Sequence, residues 1–133
     1  MAQMINPKKI LIIDDDMDWL EANKIILEAH SYQVYTANDG KDGMVKFFEI
    51  LPDLIIIDVA MEMQNELFYL CLKIRSYPEI GSIPIIMING IHQLARFQFS
   101  PDADKKYLQV DELIDKPVNP SNLVQLVDKW LPR

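Results

Sequence analysis

The side chains in this sequence that could do chemistry are carboxylates, an amide and a lysine. Most of them follow a short apolar run, and the run before Asp58, Leu-Ile-Ile-Ile, fits a strand buried on both faces. Strands of a parallel sheet deliver their last residues to one edge, where open α/β folds bind ligands. The residues that such a sheet would collect at that edge are Asp14, Asp15, Asp58, Asn89 and Lys116.

This set of residues predicts a phosphoryl-transfer site. Three carboxylates brought together repel one another, and each charge disfavours the ionisation of its neighbours. A divalent cation relieves that repulsion, and an all-oxygen set with room for water favours Mg²⁺. Lys116 adds a flexible point charge suited to a phosphate-like oxyanion. Together these groups indicate phosphoryl transfer to a carboxylate, with Mg²⁺ as the cofactor.

Five strands are predicted to position these residues, and helical segments alternate with them. The strands are expected at Ile10–Ile13, Gln33–Ala37, Leu54–Asp58, Ile85–Ile88 and Glu112–Asp115. Such alternation is typical of βαβ units with right-handed crossovers and a parallel sheet. The expected fold is a flavodoxin-like, three-layer α/β sandwich with strand order 2-1-3-4-5 and about five helices, in one domain over residues 7–132.

The helices are read from apolar spacing and from capping residues. The first is predicted from Met17 to His30, a turn at Asn38-Asp39-Gly40 caps the second, and Asn119-Pro120 opens the last. The predicted inner faces are Met44, Phe47, Phe48 and Leu51 in the second helix, Leu67, Leu70, Cys71 and Ile74 in the third, which ends near Tyr77-Pro78, and Leu123, Leu126, Val127 and Trp130 in the last. Residues 91–110 are read as a short helix with an irregular loop.

Charge and composition narrow the class of protein. The net charge of −7 over 133 residues argues against a nucleic-acid or membrane surface as a partner. No apolar run approaches the roughly 20 residues that span a bilayer, and no signal-peptide core opens the chain, so a cytoplasmic protein is expected. Cys71 is the single cysteine, which excludes an internal disulfide.

Four segments, taken in order, resemble the receiver domains of two-component response regulators (CheY-like proteins). They read Ile-Leu-Ile-Ile-Asp-Asp-Asp, Pro-Asp-Leu-Ile-Ile-Ile-Asp-Val-Ala-Met, Ile-Pro-Ile-Ile-Met-Ile and Lys-Pro before a capped helix, and they span Lys8 to Leu131. Each segment alone is weak, but all four at this spacing are specific. The resemblance implies a stand-alone response regulator that takes a phosphoryl group from a histidine kinase and then alters a partner-binding surface.

The resemblance also implies a role for each site residue. Asp58 would be the phosphoacceptor, and Asp15 and Asp58 would bind Mg²⁺ directly together with the backbone carbonyl of Ala60. Asp14 would act through a metal-bound water, and Lys116 would pair with the incoming phosphoryl group. The donor would be a sensor histidine kinase or phosphotransfer protein, and the downstream partner is not identified by the sequence. Such a domain catalyses only its own phosphorylation and dephosphorylation, so it is not expected to be an enzyme.

The sequence departs from the family pattern where the signal is read out. Asn89 stands in place of the hydroxyl residue of the fourth strand, Leu113 in place of the switch aromatic, and Glu62 in place of a proline. Asn89 either donates its amide to the phosphoryl group or forms a turn with Gly90. Residues 91–110 are therefore expected to be the moving part of the switch.

Two other functions compete with a phosphorylation switch. A pseudo-receiver that binds partners without phosphorylation would keep the fold and tolerate Asn89, Leu113 and Glu62. A phosphatase with an Asp-x-Asp motif at Asp14 and Asp16 would need further motifs that this sequence lacks. At single positions, acids at residues 14–16 could serve only a helix N-terminus, Asp58 could be a strand-end cap, and Lys116 could be a surface lysine.

Overall fold

The fold is built from five strands and, within the described residues, four helices. The computed structural model describes residues 6–59, 64–89, 110–115 and 118–132. The elements are β1 Lys9–Ile13, α1 Met17–Ala29, β2 Gln33–Ala37, α2 Gly40–Ile50, β3 Leu54–Val59, α3 Gln64–Arg75, β4 Ile85–Asn89, β5 Glu112–Asp115 and α4 Pro120–Trp130. The helix predicted between residues 91 and 110 falls almost wholly outside the described residues.

The strands form one parallel sheet in the order β2-β1-β3-β4-β5, which confirms the predicted topology. β3 lies in the centre, with Ile57 level with Ile13 of β1 and Met87 of β4. All five strands end at the same edge, and we call this the carboxyl edge and the opposite one the amino edge. The topology therefore brings together chain segments that are far apart in sequence.

The core has two layers because successive strand residues face opposite sides of the sheet. Leu11, Ile13, Ile55 and Ile57 face α2 and α3, while Ile10, Ile12, Leu54 and Ile56 face α1 and α4. All eight side chains are fully buried. The central strands are thus apolar on both faces, which explains their unbroken aliphatic runs.

The helix ends follow the predicted capping residues. Asp39 caps α2 by accepting a hydrogen bond from the backbone N–H of Asp42 at 2.7 Å. Asn119 caps α4 by accepting one from Ser121 at 2.8 Å, and Pro120 takes the first helical position, where no N–H is needed. Among the described residues, no helix is both long enough and apolar enough to span a bilayer.

The predicted inner face of α2 was partly wrong. Phe47 is buried, but Phe48 is 40% exposed and Leu51 is 53% exposed. The helix lies against the sheet through Gly40, Gly43 and Phe47, and Leu51 sits beyond its end with a left-handed backbone (φ 51°). Because Gly43 has no side chain, α2 approaches the sheet closely along a narrow face, and Phe48 lies outside that face. The ring of Phe48 packs edge-on against Phe47 and Tyr77.

The other predicted inner faces were closer to the structure. Leu70, Cys71 and Ile74 of α3 are buried, whereas the side chain of Leu67 lies outside the described part of the chain. In α4, Leu123 and Val127 are fully buried and Leu126 and Trp130 only partly, and the unpredicted Val124 is buried as well. α3 ends at Arg75, two residues before the predicted end.

Candidate phosphoryl-transfer site

Asp58 is carried to the carboxyl edge by β3 and is buried there, with 2% of its surface exposed. It lies level with Ile88 of β4, and the next residue, Val59, lies level with Asn89. A carboxylate held in an aliphatic strand loses most of its contact with water, which is costly unless a proton or a cation compensates it. Asp58 therefore lies at the predicted edge of the sheet, in a place where an ionised carboxylate is costly.

The three consecutive aspartates after β1 occupy three different environments. Asp14 is 2% exposed and its backbone N–H donates to the carbonyl of Ala37 at 3.1 Å, which extends the strand pairing by one residue. Asp15 is exposed. Asp16 caps α1, because its Oδ1 accepts from the backbone N–H groups of Asp18 and Trp19 at 3.1 and 3.2 Å. The helix-terminus interpretation thus holds for Asp16 but not for Asp14.

Asp14 and Asp58 form a buried acidic pair. The pKa of Asp14 is raised from 3.8 to about 8, chiefly by burial, then by the charge of Asp58 and by hydrogen bonding to the side chains of Asp58 and Asp15. A hydrogen bond involving the backbone of Asp16 acts in the opposite direction. The pair therefore holds a proton at neutral pH unless a cation takes its place.

The residues present fit a bound Mg²⁺ ion. Oδ2 of Asp14 is buried and has no hydrogen-bond partner among the described residues. This oxygen is therefore available as a ligand for a hard metal ion. Within the described ranges no three acidic, histidine or cysteine side chains converge on one centre. Mg²⁺ commonly keeps several waters beside one or two carboxylates, so the buried Asp14 and Asp58 fit such an ion, whether a carboxylate meets it directly or through one of those waters.

The far side of the site is described only through the backbone. Asn89 ends β4 and lies level with Asp115, which ends β5 and directly precedes Lys116 in the sequence. The side chain of Asn89 lies outside the described part of the chain, as do Ala60 and Lys116. Their predicted roles as amide donor, carbonyl ligand and phosphoryl partner remain predictions.

Leu113 points to the side of the sheet that faces α2 and α3. It is partly buried and packs against the core layer that contains Met87 and Val110. Leu113 is the residue three before Lys116 that stands in place of the switch aromatic, and an apolar contact holds it. Its neighbour Ile114 packs against the opposite layer.

The geometry agrees with the result of comparison to known proteins. The model of the response regulator receiver domain family matches residues 10–128. The chain belongs to this family. The receiver domain is a signalling module of two-component systems, in which phosphorelay is the general function. The resemblance stated from four motifs is therefore confirmed, together with the flavodoxin-like fold.

Similar proteins come from several groups of organisms. Protein RcaC of Microchaete diplosiphon is 31% identical over 129 residues, which cover 96% of this chain and 19% of RcaC. A putative response regulator from Chloroflexus aurantiacus J-10-fl superposes with a TM-score of 0.79 at 26% identity, covering 96% of this chain and 100% of that one. The chemotaxis response regulator CheY4 of Vibrio cholerae gives 0.78 at 25% identity, with 94% and 99% covered. The chain spans half or less of the curated relatives it matches.

Proposed function

We propose that this receiver domain, spanning residues 7–132, accepts a phosphoryl group on Asp58 and binds Mg²⁺ to do so. The observation that supports this most is the buried Asp14–Asp58 pair at the carboxyl edge of the sheet. Two ionised carboxylates in a dry site repel each other and lose their hydration, which costs free energy. A cation bound between them and an incoming phosphoryl group offsets that cost. Receiver domains in general depend on Mg²⁺.

In the proposed reaction, Asp58 is the nucleophile. One of its oxygens attacks the phosphorus of a phosphohistidine, a P–O bond forms as the P–N bond breaks, and the leaving imidazole keeps the bond electrons and takes up a proton. Mg²⁺, when bound, offsets negative charge on the carboxylates and on the phosphoryl oxygens. Asp15 and the backbone carbonyl of Ala60 would complete the ligand set with Asp58, and Asp14 would act through a water on the ion.

Two further residues are proposed to hold the phosphoryl group. Lys116 provides a cation for one of its oxygens, and Asn89 provides an amide donor from the end of β4. The arrangement modifies the domain itself and turns over no separate substrate, so its activity is limited to phosphorylation and dephosphorylation of Asp58. The donor is a sensor histidine kinase or a phosphotransfer protein, and the phosphorylated domain binds a downstream protein through an altered surface. Receiver domains in general work with kinases and effectors of these kinds.

A second function, partner binding that does not depend on phosphorylation, is favoured by Leu113. The side chain packs against the core and has no polar tip, so it gains little by moving between a buried and an exposed position. A ligand shifts an equilibrium only by its different affinity for the two states. A domain with this residue could therefore keep one binding surface whether or not Asp58 is modified.

Intact-mass measurement with acetyl phosphate as the donor tests the proposed reaction. The wild-type protein is expected to gain one phosphoryl group only when Mg²⁺ is present, and Asp58→Asn is expected to gain none. Asp16→Asn is the matched control, because asparagine also caps a helix and the same acidic stretch loses one charge. An adduct that survives in Asp58→Asn, or that forms equally with a chelator, would contradict the proposal and leave the phosphorylation-independent function.

A further inference from the structure

An ion pair braces the amino edge of the sheet, on the side opposite Asp58. Nη2 of Arg75 lies 2.9 Å from Oδ2 of Asp111, and the two side chains are only 16% and 32% exposed. Arg75 is the last residue of α3, and Asp111 directly precedes β5. A pair shielded to this degree is screened less by salt than a surface pair.

The same two residues also bind the segment that leads into β4. Nη1 of Arg75 donates to the carbonyls of Gly81 (2.8 Å) and Ile83. Asp111 bonds to Ile85, the first residue of β4, in both directions: its Oδ2 accepts from the Ile85 N–H at 2.8 Å, and its own N–H donates to the Ile85 carbonyl at 2.9 Å. One charged cluster thus joins the end of α3, the start of β4 and the start of β5.

The loop that enters this cluster has no spare room. A Cβ atom on Gly81 would lie 2.5 Å from the carbonyl oxygen of Tyr77 and 2.9 Å from that of Arg75. These oxygens belong to the backbone and cannot move aside as a flexible side chain could. Glycine is therefore required for this close approach. The carbonyls that receive the guanidinium are therefore held in a fixed place.

The opposite ends of the strands held by this cluster lead to the proposed site. β4 ends at Asn89, and β5 ends at Asp115, one residue before Lys116. β5 is an edge strand of four residues, and Glu112, Leu113 and Ile114 are each only partly buried. Burial alone specifies its register weakly, and a slip of one residue would move the strand by about 3.3 Å and reverse its faces.

The side chain of Glu112 holds β5 to α4 rather than to β4. Oε2 of Glu112 accepts hydrogen bonds from Lys129 at 2.7 Å and from the indole N–H of Trp130 at 3.0 Å, and both donors lie on α4. Residues 90–111 separate the two strands in sequence, which is too long a connection to fix their alignment by itself. Asp111 ties the two strand starts together, because its side chain accepts from the Ile85 N–H.

We propose that Arg75 and Asp111 are positioning residues for phosphoryl transfer. They hold β5 in register with β4 and so fix where the residue after Asp115, Lys116, enters the site. This inference rests on the proposed function. The proposed Mg²⁺ ligands lie at the ends of β1 and β3, whereas the side chains of Arg75 and Asp111 bond to the starts of β4 and β5. Loss of the cluster is therefore expected to slow phosphorylation and to leave the affinity for Mg²⁺ unchanged.

The experiment compares wild type, Arg75→Gln and Asp111→Asn with acetyl phosphate over a range of Mg²⁺ concentrations. The maximal rate of phosphorylation, followed by intact mass, is expected to fall by about tenfold to a hundredfold in both variants, since a misplacement of about 1 Å can cost that much. The Mg²⁺ concentration that gives half the maximal rate is expected not to change. Asp111→Asn keeps the size of the side chain but removes the charge that pairs with Arg75, so it serves if Arg75→Gln does not fold.

Tyr32→Phe is the control for lost stability, because it removes the hydrogen bond from Tyr32 to Asp128 and leaves the cluster at the amino edge intact. Its maximal rate is expected to equal that of wild type at a temperature well below every melting midpoint. Variants that match wild type in rate would overturn the positioning role alone, and so would a parallel loss of Mg²⁺ affinity. If the wild-type protein takes up no phosphoryl group, the proposed function fails first and the positioning role falls with it.

Discussion

The side chains of Asp14 and Asp58 meet at the ends of two neighbouring strands, both almost fully buried. Burial and then the neighbouring charge of Asp58 raise the pKa of Asp14 to about 8. The fold therefore tolerates an unfavourable pair at this edge, and a proton or a cation must offset it. The consequences can be measured without any knowledge of the partner proteins.

Mg²⁺ is expected to stabilise the folded domain. A ligand that binds only the folded state adds about 2.7 kcal/mol to the free energy of unfolding at roughly 100 times its Kd. Asp14→Asn is expected to melt higher than wild type in the absence of Mg²⁺, because it removes one of two repelling carboxylates, and to gain less from the ion. Asp15→Ala is expected to abolish the gain. Thermal melts with millimolar Mg²⁺ or with chelator measure both effects, and an unchanged wild-type midpoint would contradict a metal site.

The metal-free protein is expected to lose stability as the pH rises. In the unfolded chain Asp14 releases its proton near its ordinary pKa of 3.8, whereas in the folded protein it holds the proton up to about pH 8. The folded state binds more protons between these values, so its advantage is complete below about pH 4 and is lost as the pH rises through 8. Urea unfolding at several pH values, with chelator present, measures the slope. Asp14→Asn should flatten this dependence of stability on pH. An equally steep dependence in that variant would mean that other titrating groups cause it.

The strands and the carboxyl edge were predictable from sequence because long aliphatic runs have few alternatives. β3, with Leu54, Ile55, Ile56 and Ile57 all fully buried, is the clearest case. The placement of Asp58 follows from that run and from the parallel topology. The different environments of Asp14, Asp15 and Asp16 were less accessible, because three identical residues in a row carry no signal of which one turns inward.

Contacts that depend on packing or on distant residues were not predictable. The inner face of α2 was misjudged because a Gly43 contact outweighs the apolar spacing that favoured Phe48. Asn23 is buried on α1 and its side-chain amide donates to the Trp19 carbonyl at 2.8 Å, a contact that no apolar spacing indicates. The Arg75–Asp111 pair joins residues 36 apart in sequence, and no local pattern indicates such a partner.

Cys71 is expected to be unreactive in the folded protein. Burial raises the pKa of its thiol to about 12, and the nearby charge of Arg75 opposes that shift only in part. The nucleophilic thiolate is therefore scarce at pH 8, and the fully buried sulfur is inaccessible to reagents. A disulfide reagent such as DTNB should label the native protein slowly and the urea-unfolded protein at the rate of a free thiol. Fast native labelling would show that α3 opens readily from the sheet.

The contact between Gly43 and Ile13 allows a prediction with a built-in rescue. A Cβ atom on residue 43 would lie 2.5 Å from Cδ1 of Ile13, so Gly43→Ala overpacks the layer between α2 and β1. We expect a loss of about 1–3 kcal/mol in the free energy of unfolding. Ile13→Val deletes that Cδ1 atom, so the double variant should be more stable than the sum of the two single losses implies. Urea titrations of the four proteins measure this coupling. If the losses of the two single variants simply add in the double variant, α2 moves away from β1 as a unit instead of clashing with Ile13. Because Asp14 follows Ile13, such a movement would also change the effect of Mg²⁺ on the melting midpoint.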